Sequence, residues 1–135
     1  IYKFRTMKKD TPDLATHLLD NKQNVYTKIG PYLRRYSLDE IPQLLNIVKG
    51  DICFIGPRPA LYNQKDLIKL RQEKGIHSFL PGVTGWAQIN GRDKVSIQEK
   101  VRLDNYYVKN KSFLLDIKII FLTIKKVLVA DGVLI

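Results

Sequence analysis

A length of 135 residues (15.6 kDa) suits one domain, and 44% hydrophobic with 27% charged residues is a folding rather than a disordered composition. With 23 Lys and Arg against 13 Asp and Glu, the formal charge is +10 and the pI about 9.7, so nucleic acid, anionic lipid and phosphorylated small molecules are all electrostatically suitable partners. A single cysteine, Cys53, excludes an internal disulfide framework and a cysteine-rich zinc site.

The chain opens at Ile1 inside a running pattern without an initiator methionine, and it reads as an N-terminally truncated fragment forming one domain over 1–135. Residues 1–7 alternate as a short strand would, and 8–27 are polar and aperiodic, an exposed loop. After Gly30 and Pro31, Ser37 and Glu40 have the spacing of a capping box, which predicts a helix from Leu38 to about Val48. Ile41, Leu44, Leu45 and Val48 then define its buried stripe, and Asp39 falls almost opposite them. Pro42 conflicts with that helix by removing an amide from its first turns. Ile52–Ile55 is a short apolar strand that stops at Gly56-Pro57-Arg58-Pro59, where two prolines hold the backbone on either side of Arg58. A helix over about 60–74 follows, closed by Gly75, then a strand-like segment over 81–92 in which Asn90 and Gly91 turn the chain to deliver Arg92. Ser96 and Glu99 form a second capping box for a helix to about Val108, and Ser112 caps a terminal helix over 113–130. The fold class is therefore mixed α/β, mainly helices around a small sheet.

Asp39 and Glu40 are the first candidates for chemistry. Acidic residues also favour a first helical turn for purely structural reasons, and capping accounts for Glu40 better than for Asp39. Arg34, Arg35, Arg58 and Arg92 all lie beside turns, and the planar guanidinium matches phosphate oxygens two at a time. Carboxylates among arginines point to a metal-bound phosphate ester, with the acid serving a hard cation such as Mg²⁺ or acting as a nucleophile. Phosphate-loop, dinucleotide and HExxH motifs are missing, and His17 and His77 read as surface or capping residues. Cys53 reads as a small core residue, and Trp86 as core or as a ring for stacking. The terminal helix is apolar nearly all round, with Lys118, Lys125 and Lys126 among the apolar residues. It reads either as a core helix with snorkelling lysines or as a helix lying on anionic lipid.

The segments SLDEIPQLLNIVKGD (37–51), FIGPRP (54–59) and PGVTGWAQINGR (81–92) resemble, in order and spacing, the bacterial sugar transferase family, the monotopic phosphoglycosyl transferases. KFRTM (3–7) and LDNYYVKNKSFLLDIKII (103–120) match the same pattern, so the resemblance covers nearly the whole chain. It implies transfer of a sugar 1-phosphate from a nucleotide diphosphate sugar, usually a UDP-sugar, to a polyprenyl phosphate such as undecaprenyl phosphate, with release of UMP. This is the first membrane step of surface glycan synthesis. By the same resemblance Asp39 is the nucleophile of a covalent phosphosugar intermediate and Glu40 its partner, orienting it, handling metal or acting as base. Mg²⁺ is the cofactor, with Asp39 and Glu40 as its ligands. Arg58 and Arg92 fall at positions that hold the diphosphate or nucleotide, and Arg34 and Arg35 are placed with them as substrate-binding residues. Asp93 stands where the family pattern has an amide residue, within reach of pairing with Arg92. The implied location is the cytoplasmic face of the bacterial inner membrane, in contact with anionic lipid and with other glycan-pathway enzymes and without nucleic acid. The family's N-terminal re-entrant membrane helix is not in this sequence. Two rivals follow from charge and from the terminal helix: a nucleic-acid-binding module and a non-catalytic membrane-surface scaffold.

Overall fold

Two three-residue strands, β1 (Cys53–Ile55) and β2 (Gly82–Thr84), pair in parallel with Cys53 opposite Gly82 and Ile55 opposite Thr84. The computed structural model describes residues 1–11, 25–91 and 95–129. Around this ribbon stand, among the described residues, six α-helices: α1 (Gly30–Arg35), α2 (Gln43–Lys49), α3 (Lys65–Glu73), α4 (Trp86–Ile89), α5 (Ile97–Asn110) and α6 (Phe113–Val129). Single 3-10 turns at Leu38–Glu40 and Ile76–Ser78 link them. The mixed architecture expected from sequence is the one found. A side chain at Gly82 would collide with the Gly56 amide and one at Gly85 with the Gly56 carbonyl, so β2 and the turn after it approach the turn after β1 only because glycine stands at each contact.

The core has two centres. Leu67, Ile76 and Val101 join α3 to α5, while Ile89, Tyr107 and Ile119 join α4, α5 and α6 under the strands. Between α3 and α5 the buried Arg71 donates from Nε and Nη2 to Asp104 Oδ2, at 3.0 and 2.6 Å, and from Nη1 to the Arg58 carbonyl at 2.7 Å. A charge pair so far from water persists because each donor has its acceptor, and its third bond fixes the backbone at Arg58.

Several expectations change. Residues 1–7 are not a strand; Met7 forms one isolated antiparallel bridge with Tyr26. The extended arm spends other backbone bonds on the next segment, Phe4 N–H donating to the Asp39 carbonyl (2.9 Å) and Tyr2 N–H to Asn46 Oδ1 (2.8 Å). Most of the 8–27 loop lies outside the described residues, as do His17, Arg92 and Asp93. The helix expected over 38–48 is two pieces, because Pro42 becomes the N-cap of α2 instead of continuing a helix. The first capping box does not form: Ser37 makes no side-chain cap and sits in the left-handed region (φ 55°). The stripe is reversed as well. Ile41, Leu44, Leu45 and Val48 are exposed, whereas Gln43 and Asn46 are buried. Asn46 explains the reversal, accepting from Tyr2 N–H and donating to Asp51 Oδ2 at 3.0 Å, so the polar face of α2 is the one that meets the protein.

Farther on, α3 begins at Lys65, later than Ala60, and the strand expected over 81–92 ends at Thr84 and gives way to one turn of helix. The N-terminus of α5 keeps half its capping box: Ser96 Oγ accepts from Glu99 N–H (3.2 Å), but the Glu99 carboxylate turns to Arg102 (2.6 Å). Ser112 caps α6 as expected, accepting from Leu115 N–H at 3.2 Å. His77 is exposed in the Ile76–Ser78 turn. Trp86 stacks on Tyr106, with ring centroids 5.4 Å apart, beneath the Lys118 ammonium.

Candidate active site

The Leu38–Glu40 turn places both carboxylates against the protein, with Asp39 and Glu40 each 8% exposed. Ser37, in an uncommon conformation for a residue with a Cβ, sets the direction in which this turn leaves α1. From there the two acids have opposite fates. Glu40 Oε1 accepts from Lys3 Nζ at 2.9 Å and from Arg58 Nη2 at 2.7 Å. Burial works to raise the Glu40 pKa, but Arg58 and Lys3 overcome it and hold the carboxyl at about 2. Asp39 forms no ion pair among the described residues. Burial raises its pKa above the ordinary aspartate value; Lys3 opposes this, Glu40 adds to it and Arg34 opposes it. Lys3, caught between burial and the Arg58 guanidinium, has its pKa lowered.

A cavity of about 350 Å³ opens beside this turn. Glu40, Arg35 and Arg58 supply its charged wall, Leu38, Ile41, Leu44 and Phe54 an apolar wall, and Gln88 with Thr84 and Thr123 line it from β2, α4 and α6. Lys126 closes the α6 side. Asp39 adjoins this cavity through Glu40 but is not among the residues that line it. Thr84 and Thr123 hydroxyls bond each other at 2.7 Å, and Thr123 also donates to the Ile119 carbonyl.

Of the expected site residues, the structure brings Asp39, Glu40, Arg34, Arg35 and Arg58 together around one turn. Arg58 is held as the prolines foretold, its side chain by Glu40 and its carbonyl by Arg71. Arg34 donates to the Tyr26 hydroxyl at 3.1 Å and lies over that ring, close enough to act on Asp39. Arg35 packs over Tyr36 at the cavity. Lys3 and Gln88 were missed. Lys3 stands 37 residues from its carboxylate partner, and its only signal was a place within KFRTM; Gln88 looked like an ordinary polar residue beside Trp86.

Asp39 and Glu40 offer hard oxygen ligands, but no group of three or more metal-ligating residues gathers among the described residues. Glu40 has one oxygen already shared by two cations. Such a donor set suits Mg²⁺, which takes one or two carboxylates and completes its shell with phosphate oxygens and water.

Ile41 and Leu44 of the exposed apolar stripe line the cavity, and α6 carries further exposed apolar residues, including Phe113, Leu114, Phe121 and Leu128. Only Ile119 of α6 is fully buried. Among the described residues no helix is long and apolar enough to cross a membrane.

Comparison with known proteins places these features in one lineage. The chain is 48% identical over 133 residues to the uncharacterized sugar transferase EpsL of Bacillus subtilis, covering 98% of this chain and 64% of that protein. It is 40% identical over 134 residues to the UDP-glucose:undecaprenyl-phosphate glucose-1-phosphate transferase of Escherichia coli, covering 93% of this chain and 29% of the relative. It is 42% identical over 118 residues to the exopolysaccharide production protein ExoY of Rhizobium meliloti, covering 87% and 51%. The chain thus spans less than two thirds of the length of these relatives. The family profile described as bacterial sugar transferase matches residues 1–130, nearly everything from the N-terminal arm to the end of α6, and the chain belongs to that family.

Proposed function

We propose that this protein is a phosphoglycosyl transferase that moves a sugar 1-phosphate from a UDP-sugar to a polyprenyl phosphate through a covalent intermediate on Asp39. The observation that carries the reading is the divergence of two adjacent carboxylates: Glu40 is pinned as an anion by Lys3 and Arg58, while Asp39 is buried, without an ion pair among the described residues, and more basic. An ionised carboxylate in that state has little protein-derived stabilisation to lose when it attacks phosphorus.

In the first step an Asp39 oxygen bonds to the phosphorus that carries the sugar. The bond from that phosphorus to the bridging oxygen breaks, and UMP leaves with the electron pair. In the second step an oxygen of the polyprenyl phosphate attacks the same phosphorus, and the Asp39 carboxylate is released. Arg58 faces the cavity with its guanidinium oriented by Glu40, so it meets the diphosphate without having to be ordered first. Lys3 and Arg35 add positive charge where the donor would otherwise be repelled by the acidic turn. Mg²⁺ bound by Asp39 and Glu40 would neutralise further charge on the diphosphate. With its pKa near 2, Glu40 is too weak a base to remove a proton at neutral pH, which makes it an orienting residue.

The acceptor is a phosphate on a long hydrocarbon, and a cavity whose cationic wall stands beside the exposed apolar side chains of Leu38, Ile41, Leu44 and Phe54 has the matching polarity. The exposed apolar residues of α6, with Lys118, Lys125 and Lys126 on the same helix, support seating on an anionic membrane, at its cytoplasmic face where nucleotide sugars are made. The E. coli and ExoY names support the donor, acceptor and glycan pathway by kinship.

The test is transfer in membranes containing the intact protein, undecaprenyl phosphate and radiolabelled UDP-sugar. Wild type makes lipid-linked sugar phosphate, and Asp39→Asn lowers turnover by about a thousandfold or more. Comparable turnover in the variant would overturn the assignment.

A further inference from the structure

Gln88 is 8% exposed, lines the cavity, and has neither its Nε2 nor its Oε1 hydrogen-bonded among the described residues. A native protein rarely leaves both ends of a buried carboxamide unmatched, because each loses its water and receives nothing in return. The neighbours do not relieve it. Thr84 and Thr123 hydroxyls are committed to each other, and the Oε1 end packs against Gly85, where any Cβ would stand 2.9 Å from it. Gly85 in turn lies on the Gly56 carbonyl, two residues before Arg58, so the amide sits beside the turn that carries the phosphate-facing guanidinium.

The geometry points to Gln88 as a substrate-contacting residue that hydrogen-bonds hydroxyls of the transferred sugar, a role that rests on the transferase reading above. The chemistry selects the sugar over the phosphate. A carboxamide presents a donor and an acceptor side by side, whereas a phosphate oxygen only accepts; a pair of sugar hydroxyls can satisfy both ends. Proximity selects the sugar over the base, since the sugar is bonded directly to the phosphorus held near Arg58 and the base lies beyond a second phosphate and a ribose. The cavity, about 350 Å³, is at the small end of ligand sites and suits a sugar phosphate better than a whole nucleotide sugar.

The experiment uses the intact protein in membranes and Gln88→Met, which keeps the volume and removes the amide. The probes are UMP and whichever of UDP-glucose, UDP-galactose and UDP-N-acetylglucosamine the wild type uses best. The expected result is a fall in kcat/KM for the UDP-sugar of about tenfold or more, with UMP affinity within twofold of wild type and an unchanged or raised Tm. A variant with wild-type kcat/KM overturns the inference while leaving the transferase reading intact. Equal losses for UMP and UDP-sugar overturn the sugar assignment, and a lowered Tm with lost activity identifies a structural amide and overturns it too. Failure of wild type to transfer from any of the three donors removes the transferase reading and this role with it.

Discussion

Replacing Glu40 with glutamine preserves the shape of the side chain and removes the charge that Lys3 and Arg58 share at 2.9 and 2.7 Å. Lowering the carboxyl from its ordinary 4.5 to about 2 corresponds, at about 1.4 kcal/mol per tenfold change in the ionisation constant, to a ceiling of about 3 kcal/mol. Lys3 and Arg58 are 38% and 30% exposed, so water already satisfies part of each cation, and about 2 kcal/mol is the expected loss at pH 7. The sign follows from the depressed pKa. The contribution is fully present above the unfolded-state value of 4.5 and is lost as pH falls toward about 2. Urea unfolding of wild type and Glu40→Gln should therefore differ by about 2 kcal/mol at pH 7 and by about half of that at pH 3. A gap below about 0.5 kcal/mol at pH 7, or one that does not narrow on acidification, would refute the claim that Glu40 is an ionised clamp. Arg58 should lose its charged Glu40 contact in the same variant, so transfer should weaken even where folding is complete.

Asp39 gives the opposite linkage. Its raised pKa means that its proton stabilises the fold below the unfolded-state value and that this contribution disappears as pH rises through the folded one. Asp39→Asn should therefore melt no lower than wild type at pH 7 while losing transfer, and the acid limb of wild-type activity should lie above the ordinary aspartate range; a lower Tm in the variant would contradict this. On α6, Phe121 is 69% exposed, and Phe121→Gln should weaken binding to phosphatidylglycerol-containing vesicles about tenfold without changing Tm. Undiminished binding would show that this face does not meet lipid.

Local signals served best where the answer was local. Ser96 and Ser112 mark the starts of α5 and α6 because a serine oxygen satisfies an amide three residues on, whatever the rest of the chain does. The two prolines around Arg58 held it as read, although its partners Glu40 and Arg71 came from elsewhere in the chain. What failed was the inference from periodicity to burial. The spacing of Ile41, Leu44, Leu45 and Val48 correctly identifies one apolar face of α2, but spacing does not say what covers that face; Asn46, bonded to the N-terminal arm and Asp51, turned the polar side inward. The same limit hid Lys3, whose role depends on an arm folding back 37 residues, and Gln88, whose importance lies in the bonds it does not make. The acidic pair was legible as a candidate, but that Glu40 and not Asp39 is the member clamped by Lys3 and Arg58 depends on packing that no spacing in the sequence encodes.

Incubating the intact protein with Mg²⁺ and UDP-sugar labelled in the sugar, without polyprenyl phosphate, then quenching and mapping the label by mass spectrometry, addresses the central claim most directly. A sugar phosphate on the peptide containing Asp39, chased off by added undecaprenyl phosphate and missing in Asp39→Asn, is the result expected. Lipid-linked product formed at full rate by a protein that never carries label, or label on another residue, would contradict it.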